Sequence, residues 1–240
     1  MAATLESMMN TFNSKIEAPV RTHLKSVYAS LALSILSAAG GAYIHMFTNL
    51  LRGGGILFSL VGLGLAMGLH FTPDNGKNRN QRMAMLLGFA FLSGLGMGPM
   101  LDMAVRLNPA IVPNAFLLSS VIFACFSGAA LFAPNGQYLA LGGTLMSAMS
   151  MMFWLGLANL FFQSQLIFQV YLWGGLLLFC GFIVYDTQMI IEKRRRGDKD
   201  FIAHSLDLFI DFIQIFRKIL IILMQKQGEK EDNRERRRRR

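Results

Sequence analysis

From Leu107 to Tyr185 the chain runs 79 residues without an Asp, Glu, Lys or Arg. A soluble domain carries charge on about a quarter of its residues, so this run belongs in lipid. Turn chemistry interrupts it at Asn108-Pro109 and Pro134-Asn135-Gly136, which divides it into several spans. No segment alternates in the manner of a membrane β-barrel, and the other structure that satisfies its own backbone in hydrocarbon is the helix. The expected fold class is therefore all-α, a polytopic bundle with no soluble domain. Composition agrees: 53% of residues are hydrophobic, 15% are charged and the mean hydropathy is +0.43.

Crossing about 30 Å of hydrocarbon takes roughly 20 helical residues. Six runs meet that need: Val27–Phe47, Gly55–Thr72, Met83–Leu101, Ala110–Ala133, Tyr138–Phe162 and Gln165–Ile191. A seventh, Ile202–Met224, is apolar but carries charge. The expected organisation is an N-terminal segment over residues 1–26, a bundle over 27–224 and a basic tail over 225–240. Small-residue spacings at Ala38/Ala42, Gly64/Gly68 and Gly94/Gly98 suit close helix packing. The N-terminus lacks the pattern of a cleaved signal. Cys125 and Cys180 stand apart without metal or redox spacing.

Counting Lys and Arg in the loops gives eleven on the side of the N-terminus, including Lys193, Arg194, Arg195 and Arg196, against two opposite. The positive-inside rule then makes the N-terminus cytosolic. Seven full crossings would put the eight basic residues of the tail on the other side, against the same rule. The seventh segment either re-enters or breaks the bias. The tail itself suits anionic lipid, since no aromatic interleaving or folded basic domain points to nucleic acid.

The first charge after the long run is Asp186, still within the apolar pattern, and Asp207 and Asp211 follow one helical turn apart. Acids at membrane depth cost roughly 2.5–3.5 kcal/mol each on insertion scales. The short loop between the sixth and seventh segments makes them neighbours, so Asp186 and Asp211 can face each other. Two close carboxyls share a proton and titrate as a unit. Deprotonated, such a pair offers oxygens to a calcium ion in transit; a proton displaces it. Asp207 is read as the cap of the seventh helix or a partner of His204, and Asp186-Thr187-Gln188 as either part of the pair or an interfacial polar cluster. Arg217 and Lys218 are read as snorkelling ends or counter-charges. His23, His45 and His70 stand alone, without metal-ligand spacing. Two intramembrane aspartates also describe an aspartyl protease, but neither Gly-x-Gly-Asp nor Pro-Ala-Leu is present; no enzyme is expected.

Taken together, GFAFLSGLGMGPML, NPAIVPNAFLLSSVIFACFS, VYDTQMIIEK and HSLDLFIDFIQIFRKIL resemble the transmembrane Bax-inhibitor-motif family over roughly Thr22 to Met224. The resemblance implies six helices around a seventh in the endoplasmic reticulum membrane, a calcium leak sensitive to pH, and suppression of stress-induced cell death. It implies Asp186 and Asp211 as the paired aspartates, calcium as permeant ion, protons as regulator and no cofactor. Bcl-type cell-death regulators and calcium channels are the partners it implies beside lipid, with homo-oligomerisation left open. A non-conducting regulator of those partners is the alternative. Some relatives close the pair with an arginine in the second helix; Gly55–Thr72 has none, which leaves a proton, Arg217 or Lys218 as the latch, or no latch.

Overall fold

A computed structural model describes residues 16–48, 55–134 and 136–238. Lys15, Arg52, the turn residues 49–54, Asn135, Arg239 and Arg240 lie outside them. Among the described residues there are helices and turns and no strand: α1 (Ala18–Phe47), α2 (Gly55–Phe71), α3 (Arg79–Leu107), α4 (Ile111–Phe132), a 3-10 turn at Leu139–Leu141, α5 (Gly142–Phe162), α6 (Gln165–Arg195) and α7 (Phe201–Arg238). Five stretches are long and apolar enough to cross a membrane: α1, α3, α4, Leu139–Phe162 and α6. The chain is thus a multi-pass helical membrane protein. The expected second span is shorter than the others, with an apolar stretch of Leu57–Phe71. Large apolar side chains such as Phe71, Trp154, Phe161 and Phe162 point outward, as lipid contact allows.

Helix ends differ from the hydropathy limits for local reasons. Pro19 lies in the first turn of α1, where its missing N–H removes no hydrogen bond, so the helix starts at Ala18 and buries Val20, His23 and Leu24. Similarly, α3 runs through Pro99 to Leu107; membrane helices tolerate an internal proline.

Two interfaces build the bundle. In the first, α1 lies along α3 at backbone contact. A Cβ on Gly94 would overlap the Ala38 carbonyl, and one on Gly41 would overlap that of Phe91, while Ser37 Oγ donates to Leu87 O at 2.9 Å. Gly98 leaves room for the ring of the buried His45. By contrast, a Cβ on Gly64 would meet nothing among the described residues, and one on Gly68 would meet only the Met85 side chain of α3 at 3.7 Å, so that site holds no close backbone contact.

The second interface is the α6–α7 hairpin. Gly197 adopts φ +100°, which only glycine does without strain. Gly197 N–H then bonds Arg194 O at 3.1 Å and Asp198 N–H bonds Lys193 O at 3.0 Å, the paired bonds of a Schellman ending. Asp198 Oδ1 accepts from Asp200 N–H at 2.8 Å, and Asp200 Oδ1 from Ala203 N–H at 3.0 Å. One helix is closed and the next opened within five residues.

From there α7 continues without a break for 38 residues, about 57 Å at 1.5 Å per residue. It packs against α1, α2, α3, α4 and α6, whereas α5 packs chiefly on α6. Gln225 reaches Gln169, near the start of α6, so the tail leaves on the face opposite the hairpin. The helical part of the tail, as far as Arg238, therefore lies beyond the end of the bundle opposite the hairpin.

Gly94→Ala should lower thermal stability in detergent, since overpacking costs about 1–3 kcal/mol. Gly64→Ala should be neutral or raise it, the helix preference of Ala being worth up to about 1 kcal/mol.

Candidate functional site: a carboxyl pair between α6 and α7

The sequence Asp186-Thr187-Gln188 turns three polar side chains toward three different neighbours. Asp186 faces α7, where its carboxyl comes close enough to that of Asp211 for the two to interact directly. Thr187 faces α4 and meets Ser127 Oγ at 3.3 Å; Ser127 in turn bonds the Tyr28 hydroxyl of α1. Gln188 faces the α4–α5 turn: Tyr138 N–H donates to its Oε1 at 2.8 Å, and its Nε2 donates to Pro134 O at 3.1 Å. These two anchors fix the roll of α6 and therefore the direction of Asp186.

Asp211 is 4% exposed, and no N–H or O–H group of the described residues reaches its Oδ2. Two carboxylates are both acceptors, so their contact is a hydrogen bond only when one O–H donates to the other oxygen.

A cavity of about 300 Å³ leads to Asp186 from the hairpin end, with Asp207, His204, Tyr185 and Lys193 in its wall. Asp211 is not among its lining residues. Asp207 is no cap, contrary to the sequence reading. Asp200 caps α7, and Asp207 sits two turns in, as a second carboxylate of the cavity. His204 turns its Nδ1 to His23 Nε2 at 3.0 Å, with Asp198 Oδ2 3.7 Å from its Nε2. His23 is therefore part of a buried pair.

The basic run divides as well. Lys193 rims the cavity, Arg194 donates within the loop to Asp198 O, Arg195 lies 3.4 Å from Glu17, and Arg196 pairs with Glu192 at 3.0 Å. Arg217 points outward and Lys218 inward. Among the described residues no three His, Cys, Asp or Glu side chains gather as a metal cluster.

An arginine does brace this end, though from α3. Arg82 is 2% exposed and bonds Asp200, with Asp74 at 3.4 Å and Leu69 O at 3.4 Å. It ties the end of α2, the start of α3 and the cap of α7 together. Sequence reasoning missed it because its partner lies 118 residues away.

A helical membrane bundle whose last two helices bring a carboxyl pair together is the class that fold and site define. The sequence profile described as "Inhibitor of apoptosis-promoting Bax1" matches residues 20–228. The chain is 48% identical over 217 residues to "Bax inhibitor 1" of Bos taurus, covering 90% of this chain and 92% of that one. It is 48% identical over 217 residues to "Probable Bax inhibitor 1" of Paralichthys olivaceus, covering 90% and 91%. Against "Bax inhibitor 1" of Arabidopsis thaliana it is 40% identical over 218 residues, covering 90% and 86%. The chain belongs to the Bax inhibitor family.

Burial pushes the Asp200 carboxyl up, but its bonds from Arg82 and Ala203 N–H, with the Arg82 charge, hold it below the ordinary carboxylate value. A depressed folded value contributes stability above the unfolded pKa, which is lost as pH falls through the folded one. Thermal unfolding should show wild type losing stability below about pH 4. Asp200→Asn should be less stable at neutral pH and less sensitive in that acid window. Arg82→Met, which strands a buried acid, should cost about 3–5 kcal/mol.

Proposed function

We propose that this protein is a pH-sensitive calcium leak of the endoplasmic reticulum membrane that restrains cell death. The observation that carries the reading is the Asp186–Asp211 contact, reached through a cavity with a further carboxylate, Asp207, in its wall. Two carboxyls offer four oxygens where calcium takes six to eight, so an ion meeting the pair keeps part of its water and is free to leave. Proton and calcium compete for the same oxygens, which makes the leak respond to pH. In this reading α7 is the inner element, with α1 to α4 and α6 packed against it and α5 behind α6. The hairpin faces the cytosol together with the N-terminus, as the basic loops favour. The restraint of cell death follows the names its relatives carry.

A second reading belongs to another class: a non-conducting regulator that binds Bcl-type cell-death proteins or calcium channels. The closure of Asp211 behind the cavity favours it. Purified protein in liposomes separates the two. The leak reading expects calcium flux that varies between about pH 5 and 8, where a coupled pair titrates, and that Asp211→Asn reduces several-fold while flattening its pH dependence. Absence of flux at every pH in that interval would leave the regulator.

A further inference from the structure

One charged side chain at membrane depth has no part in the carboxyl pair. Lys218 lies seven residues beyond Asp211 on α7, two turns along the same face and about 10 Å deeper. Arg217 beside it is exposed. Lys218 instead turns inward and is 4% exposed. Its Nζ donates to Tyr171 O at 3.3 Å and lies 4.2 Å from the centre of the Tyr171 ring. No carboxylate of the described residues forms an ion pair with it. The slot is shaped for the ammonium: a Cβ on Gly175 would occupy the place of Nζ. Between this point and Asp211 the α6–α7 seam is walled by the buried apolar side chains of Phe179, Phe182 and Ile215.

We propose that Lys218 is the cation barrier of this seam, an ammonium clamped on Tyr171 that closes it on the side away from the hairpin. A fixed positive charge in a narrow, low-dielectric passage repels cations strongly. A divalent ion leaving the carboxyl pair meets that charge before the far face, and passage requires the ammonium to leave its clamp. The barrier rests on the calcium-leak reading, and the experiment separates the two.

Calcium flux is measured in liposomes holding wild type, Lys218→Met, Lys218→Arg or Lys218→Met with Asp211→Asn, each first checked for monodispersity and thermal stability. Lys218→Met should leak faster on the order of tenfold, Lys218→Arg should resemble wild type, and adding Asp211→Asn should remove the gain. A silent wild type with a leaking Lys218→Met also supports the barrier. Gly175→Ala, which pushes the ammonium out of its slot, should raise the leak too and serves if Lys218→Met does not fold. The barrier is overturned, with the leak reading intact, if wild type leaks through Asp211 and neither Lys218→Met nor Gly175→Ala is faster. It is likewise overturned if Lys218→Arg matches Lys218→Met, or if the gain survives Asp211→Asn. No flux above empty liposomes from wild type and from every variant overturns both.

Discussion

Charge has nowhere to go inside a bilayer except onto other charge, onto a proton or into water let in for the purpose. That constraint organises this molecule more than any apolar contact does. Asp186, Asp211 and Lys218 lie where α6 and α7 face each other, while the buried Arg82 is paired at the hairpin end. In the proposed reading the pair at Asp186 and Asp211 settles its charge by sharing a proton. Farther along the same seam, Lys218 rests on a carbonyl and an aromatic ring. The remaining helices present apolar faces to lipid and small residues to one another.

Holding two carboxyls together against their repulsion requires that neither helix be free to roll or slide. The rotation of α6 is set by Thr187 and Gln188, each bonded to a different neighbour. Slippage of α7 is limited by the Gly197 turn and by Asp200, held between the helix start and Arg82. These contacts touch no ion, yet they decide whether the pair exists. A seam positioned in this way has two ends of different character. The hairpin end opens into a cavity with Asp207 and Lys193, and the other is shut by rings and an ammonium.

Much of this was legible in the sequence. The uncharged run dictated helices, and the short Glu192–Asp200 connection made α6 and α7 neighbours. An acid in each then pointed to Asp186 and Asp211 facing each other. What failed was positional shorthand. Asp207 looked like a cap because it is near the start of an apolar segment, but Asp200 had already taken that role at the turn. Arg82 is among the eleven loop charges counted for orientation, yet it is one of the most buried side chains. Its partners come from distant parts of the chain, and one sequence holds no signal of such pairing. The tail shows a deeper limit: charge counting is blind to packing, and it is the packing of α7 that carries the tail to the end of the bundle opposite the hairpin.

The account turns on Asp186 and Asp211 acting as one unit that shares a proton and passes an ion. A double-mutant cycle on calcium leak rates tests this directly, using Asp186→Asn, Asp211→Asn and the two combined. A single unit predicts that the double variant leaks within about twofold of either single one, because the first change already destroys the site. Effects that multiply would mean two independent residues, and would contradict the pair.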